Sequence, residues 1–195
     1  MLQSGIPREE IFLTTKLPNQ DHQRVAQSLE ESLNKLGLNY VDLYLMHWPL
    51  ATRDGETIPF GQSPTFVETW KEMEKLLATG KVRSIGVSNF SIKNLDILLA
   101  EASVVPATNQ VELHPCLPSF ELKEYCDKKG IVLTAYSPLG AHFLGLMAVF
   151  AASNDNMQVA RRSTTGNLCF STILTSCALR RSTSRRQARS RSAGE

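Results

Sequence analysis

Five short stretches of this 195-residue chain end in side chains that can bind a ligand or move a proton. Lys16 follows Ile11-Phe12-Leu13-Thr14-Thr15, and His47 with Trp48 follows the run at residues 40–46. Ser88 and Asn89 follow residues 82–87, Asn109 and Gln110 lie within residues 107–111, and Tyr136 with Ser137 follows residues 131–135. Together they offer an ammonium, an imidazole, an indole, hydroxyls, carboxamides and a phenol. If the five runs are parallel strands, these groups share the carboxyl-terminal rim of one sheet, where α/β proteins bind ligands and do chemistry. Each group also has a plainer reading. A lysine is solvated, a histidine or glutamine satisfied in the core, a tryptophan or tyrosine packed, and a Ser-Asn pair caps a helix.

The elements that must position them are legible from pattern. Residues 40–49 read YVDLYLMHWP. The apolar run predicts a short strand buried on both faces, and it must stop at Pro49, which has no N–H for a ladder. Residues 11–16 predict an earlier strand. Asn19 or Asp21 can cap a helix whose inward face is Val25, Leu29, Leu33 and Leu36, with Gly37 as its stop. Residues 51–61 form a polar loop directly after His47-Trp48, suited to a lid or a specificity loop. Ser63 caps a second helix with Pro64 in its first position and Phe66, Trp70, Met73 and Leu77 inward, ending at Gly80. Ser91 caps a third, with Ile92, Leu95, Leu98 and Leu99 inward, and Ser119 a fourth that ends at Gly130. Strands and helices alternate, with connections long enough for crossovers, so the five strands should be parallel. A (β/α) barrel and a doubly wound sheet both fit.

Bulk properties divide the chain. An apolar fraction of 42% supports a real core. Residues 1–150 hold 13 Lys and Arg against 17 Asp and Glu, while residues 151–195 hold 8 Arg and only 2 acidic residues. Cys116, Cys126, Cys169 and Cys177 show no CxxC spacing and no histidine at finger distance, so no metal site is expected. They read as reduced thiols in a cytoplasmic protein. No signal peptide is visible, and the most apolar window, residues 141–152, falls short of the ~20 residues of a membrane helix.

Five runs together resemble the aldo-keto reductase family: IFLTTKL (residues 11–17), LYLMHWP (43–49), GKVRSIGVSNF (80–90), TNQVELHP (108–115) and AYSPLG (135–140). They come in the family's order and spacing over about residues 5–140. The resemblance implies a TIM (β/α)8 barrel, here a partial one of about five β/α units, NADPH as cofactor and a small carbonyl compound as substrate. It implies that Lys16 and His47 are catalytic, and that Trp48 lines the substrate pocket. It implies further that Ser88, Asn89, Gln110 and Tyr136 hold the nicotinamide, and that Ser137 and Leu139 lie near the pyrophosphate. The chemistry is coherent. Carbonyl reduction needs a hydride from one side and a proton at the oxygen, which a tyrosine beside an ammonium can supply and an imidazole can assist.

The chain departs from the family at both ends. The family's first two β/α units, with a proton-donating tyrosine and an aspartate that pairs with the lysine, would lie before Met1, and no residue here matches either. After Gly140 the runs stop matching, and from Arg180 the composition is almost wholly Arg, Ser, Thr, Ala and Gln. The expected organisation is therefore a partial barrel over residues 1–140 and a divergent, disordered tail over residues 141–195. The strands at Ile11 and Ile131 should be open edges. Two other functions fit parts of the sequence: a non-catalytic NADP(H)-binding or regulatory module on the same scaffold, and polyanion binding through the arginine-rich tail. An aldolase with Lys16 as its Schiff-base lysine lacks a glycine-rich phosphate loop and leaves His47-Trp48 unexplained. No specific nucleic acid or membrane partner is expected, and the oligomeric state is left open.

Overall fold

The central stretch is a strand, β2 (Val41–Met46), buried at all six positions. The computed structural model describes residues 5–115 and 117–140. These fall into two units, residues 5–112 with 119–136 and, separately, residues 113–118 (Cys116 aside) with 137–140. The expectations for residues 141–195 lie outside the described residues. No helix among the described residues is long and apolar enough to cross a membrane.

The first unit alternates as read: β1 (Thr14–Leu17), α1 (Val25–Leu36), β2, a small hairpin of β3 (Thr52–Arg53) and β4 (Glu56–Thr57), and α2 (Phe66–Leu76). Then come β5 (Val82–Ser88), α3 (Ile92–Glu101), β6 (Thr108–Glu112), α4 (Phe120–Lys129) and β7 (Val132–Tyr136). The sheet order is β1-β2-β5-β6-β7, with every pairing parallel. Together with the helices this is the α/β architecture of a partial TIM barrel. Within the described residues β1 pairs only with β2 and β7 only with β6, so both are edges. Leu17 pairs with Met46, Met46 with Val87, Ser88 with Gln110 and Glu112 with Tyr136, so the carboxyl ends of all five strands fall at one rim.

The core forms where helical and strand periods bring apolar faces together. Val25, Leu29 and Leu33 of α1 and Phe66, Trp70 and Met73 of α2 are buried with the strand residues Val41, Tyr44 and Met46. Trp70 is fully buried, and its indole N–H donates to the Val104 carbonyl at 3.2 Å, so the ring leaves no orphan donor. Gly86 in β5 is where backbones approach closely. A Cβ there would lie 2.7 Å from Leu45 Cδ2 and 2.8 Å from the Thr108 carbonyl oxygen.

Asp42 anchors the opposite, amino-terminal end of the strands. Its carboxylate accepts from the Leu13 N–H at 2.9 Å, Arg8 at 2.8 Å and Arg83 at 2.9 Å. Burial pushes the carboxyl up, but the Leu13 N–H and the two guanidiniums outweigh it and leave it below the usual aspartate value. The same two guanidiniums stack on the Tyr40 ring at 4.0 and 4.2 Å.

Several boundaries differ from the pattern-based expectation, each for a local reason. Residues 11–13 are not strand, because the Leu13 N–H is spent on the Asp42 carboxylate rather than on a ladder. Leu36 is 40% exposed, lying in the last turn of α1, while Gly37 does stop the helix in the left-handed region. Asn19–Asp21 is a separate 3-10 turn rather than the cap of α1. There Asp21 turns inward to accept from Arg24 and Ser28. The cap of α2 is Thr65, not Ser63, and it forms a reciprocal capping box with Glu68. Ser91 caps α3 as expected, whereas Ser119 starts α4 without a side-chain bond. The loop after Trp48 carries the β3–β4 hairpin, turned at Asp54-Gly55 with φ of 53° and 83°. An Asp-Gly pair is the sequence signal for that turn.

His22 is a buried histidine whose protonation follows from its neighbours. The Thr69 hydroxyl donates to the Thr65 carbonyl at 2.9 Å, so it must accept from His22 Nδ1 at 3.2 Å. Nε2 is then the bare nitrogen, and it is buried without a partner. Burial pushes this imidazole from 6.5 down to about 4, with the Asp21 carboxylate opposing only in part. The folded-state pKa is below the unfolded one, so the neutral ring's contribution is complete above 6.5 and is lost as pH falls toward about 4. The loss should approach about 3 kcal/mol. Urea unfolding of the wild type and His22→Gln across this range should show the stability gap between them shrinking as pH falls, and a pH-independent gap would contradict it.

Candidate functional site at the strand rim

Lys16 is the penultimate residue of β1 and half-buried, in register with Leu45 of β2. His47 is the first residue past β2, and its backbone N–H donates to the Leu17 carbonyl at 3.2 Å, which ties the two strand ends together. Partial burial first, and the Lys16 charge second, hold the imidazole below its ordinary value of 6.5. His47 is therefore mostly neutral at physiological pH, with one ring N–H to donate. Trp48 is 39% exposed, its ring 6.4 Å from that of His47 and tilted by 41°.

Asn89 occupies the first position past β5 with φ of 62°, in the left-handed region that asparagine tolerates better than most residues. That turn aims its side chain back across the strand ends. Nδ2 donates to the His47 carbonyl at 3.0 Å and to Ser88 Oγ at 3.2 Å, while Oδ1 accepts from the Tyr136 hydroxyl at 3.0 Å. The Asn89 backbone N–H donates to the Gln110 carbonyl at 2.9 Å, and Ser88 Oγ donates to the same oxygen at 2.7 Å. One residue thus links the ends of β2, β5, β6 and β7. The rim therefore brings His47, Ser88, Asn89, Gln110 and Tyr136 into one network, with Lys16 acting on His47 through its charge.

Not every predicted residue joins it. Asn109 is fully buried, bracketing Phe90 by accepting from its N–H at 3.3 Å and donating to its carbonyl at 2.9 Å. It is a structural clip, because neighbours along a strand face opposite sides. Ser137 and Leu139 belong to the second unit. There Ser137 has φ of 47°, the Gly140 N–H donates to the Ser137 carbonyl at 2.8 Å, and Leu139 is 66% exposed. The loop expected to serve as a lid borders a cleft of about 470 Å³ that also includes Phe66, Val67 and Ile97, and no rim residue lines that cleft. The reach of Asn89 to the His47 carbonyl and the Tyr136 hydroxyl was not readable from sequence. An asparagine placed directly after a strand was the only signal. No three His, Cys, Asp or Glu side chains gather as metal ligands among the described residues.

A model of the Aldo/keto reductase family matches residues 1–185. Glycerol 2-dehydrogenase (NADP(+)) of Saccharomyces cerevisiae is 47% identical over 156 residues, covering 71% of this chain and 50% of the relative. D/L-glyceraldehyde reductase of Hypocrea jecorina is 46% identical over 154 residues, covering 73% of this chain and 46% of the relative. Among solved structures, Bombyx mori aldo-keto reductase in complex with NADP superposes with a TM-score of 0.64 at 40% identity, covering 68% of this chain and 43% of that one. A Brucella melitensis aldo/keto reductase gives 0.63 at 42% identity, covering 77% and 57%. The chain spans about half the length of the curated relatives it matches.

The pairing of Lys16 with His47 is open to direct test. Replacing Lys16 by Met removes a like charge, so the His47 pKa should rise while staying below 6.5, because partial burial persists. Following the His47 ring signals by NMR through a pH titration would show it, and an unchanged midpoint would mean that the two groups do not interact.

Proposed function

The chain belongs to the aldo/keto reductase family, and on that footing we propose that its strand rim serves the NADPH-dependent reduction of aldehydes or ketones to alcohols. The observation that carries this reading is the Asn89-centred network beside the neutral His47. The groups present suit a nicotinamide. The Gln110 carboxamide makes no side-chain hydrogen bond among the described residues, Asn89 Oδ1 keeps one lone pair, and Tyr136 is half-exposed at the end of β7. Ser88, Asn89 and Gln110 would hold the carboxamide and Tyr136 would present its ring. The reduced nicotinamide supplies the hydride when bound. His47 donates a hydrogen bond from its ring N–H to the carbonyl oxygen and stabilises the charge that grows there, Lys16 adds a positive field, Trp48 packs against the substrate, and solvent water delivers the proton that converts the alkoxide to the alcohol.

A specific observation favours a second reading, a non-catalytic NADP(H)-binding module. None of the chain's 4 tyrosines is free to donate a proton to a substrate. Tyr40 is stacked between two arginines at the far end of the strands, and Tyr44 is fully buried, its phenol pushed up to about 12 by burial. Tyr125 sits on α4 bonded to Asp96 and is also pushed up to about 12, chiefly by burial and then by that carboxylate. Tyr136 has its hydroxyl proton committed to Asn89. Loss of acid catalysis by a tyrosine costs about 10²–10⁴ in rate.

Two measurements separate the readings. NADPH should quench the fluorescence of rim-exposed Trp48. NADPH consumption with an aromatic aldehyde should then be slow and should fall a further 10²–10³-fold, roughly, in His47→Ala with quenching retained. Quenching with no turnover leaves the binding module, and no quenching removes both.

A further inference from the structure

We infer that Asn89 is a positioning residue: it sets the plane of the Tyr136 ring and fixes the main chain at His47, so that the stacking face and the polarising imidazole are held by one carboxamide. This deepens the reading above and rests on it for the identity of the ligand. The orientation of the Asn89 amide follows from its partners. A backbone carbonyl only accepts, so the atom facing the His47 oxygen at 3.0 Å is Nδ2. Oδ1 then faces Tyr136, and the phenol must be the donor at 3.0 Å. Both amide hydrogens are committed, to His47 and to Ser88.

The consequence for Tyr136 is geometric. Its Cα is held by the β6–β7 ladder opposite Glu112, and its hydroxyl is held by Asn89. A phenolic hydrogen lies in the plane of its ring, so the direction to Oδ1 selects that plane as well as the position of the oxygen. A tyrosine that only stacked would not need its hydroxyl, and phenylalanine would serve as well. The consequence for His47 is that its carbonyl is anchored from β5 while its N–H is anchored from β1, which leaves the imidazole little freedom of backbone origin.

The residue type is doubly determined. The φ of 62° favours glycine or asparagine, and the carboxamide must both donate and accept. Glycine therefore keeps the turn while deleting the clamp together with the carboxamide's own reach to a nicotinamide, so the clean variant is the one on the other side of the bond. Tyr136→Phe deletes the other half of the bond and keeps the ring. We expect Tyr136→Phe to weaken NADPH binding about tenfold by fluorescence quenching, Asn89→Gly at least as much, and the double variant to be no weaker than Asn89→Gly alone. Full affinity in Tyr136→Phe, or losses that multiply in the double variant, overturns the inference. Equal melting temperatures across the set separate positioning from simple destabilisation.

The ligand-free protein supplies an arm independent of cofactor. The Tyr136 hydroxyl proton should be slow to exchange with water in the wild type and fast in Asn89→Gly, as read by NMR. Fast exchange in the wild type sinks the inference even if NADPH binds. Slow exchange in a protein that fails to bind NADPH upholds the clamp and refutes only the proposed function.

Discussion

Residue 89 stands where several strands end, in a backbone conformation that few residue types tolerate, and its carboxamide serves its neighbours at once. The left-handed turn there redirects a side chain that would otherwise follow β5 out into solvent. Because the turn points inward, Asn89 meets the His47 carbonyl, Ser88 Oγ and the Tyr136 hydroxyl while its own N–H meets Gln110. Four strand termini are thus coupled by hydrogen bonds that share one residue. Such a network is satisfied only when every member is in place, so it rewards a single arrangement of the rim.

That rim exists only because the ladders beneath it are level. The registers Leu17 to Met46, Met46 to Val87 and Ser88 to Gln110 leave successive strands ending side by side. Two features keep that alignment. Asp42 binds two arginines and the Leu13 N–H at the amino-terminal end, tying β2 to β5 through Arg83 and to the segment leading into β1 through Arg8 and the Leu13 N–H. Gly86 lets β5 approach its neighbours, since any side chain there would meet Leu45 and the Thr108 backbone below normal contact distance. The clamp lies at one end of the strands, and the pair of Lys16 with a His47 held neutral lies at the other.

Much of this was legible before any coordinates. The order of elements, the burial of β2, the inward faces of α1, α2 and α3, and the convergence of Lys16, His47, Ser88, Asn89, Gln110 and Tyr136 at one end follow from period, breakers and parallel connectivity. The helix starts that differ share a cause: short polar residues compete for the same backbone groups. Ser63 and Thr65 both suit a cap, and Thr65 wins because Glu68 lies three residues on to close the box. Asp21 suits a cap too, yet turns inward for Arg24 and Ser28. Asn109 and Gln110 look alike in sequence, and strand alternation alone sends one to the core and leaves the other at the rim.

The sequence by itself determined which side chains arrive at the strand ends, because period and chain connectivity are local properties that any reader of residue types can count. It also determined family membership, through five runs in order and spacing. Only the tertiary structure decided how those side chains are wired. Whether Nδ2 of Asn89 meets the His47 carbonyl, whether Tyr136 spends its proton there, and whether Lys16 lies close enough to depress His47 all depend on distances of a few ångströms between residues as many as 47 positions apart. Hydrogen bonds and charge interactions fall off over that distance, and sequence spacing does not encode it.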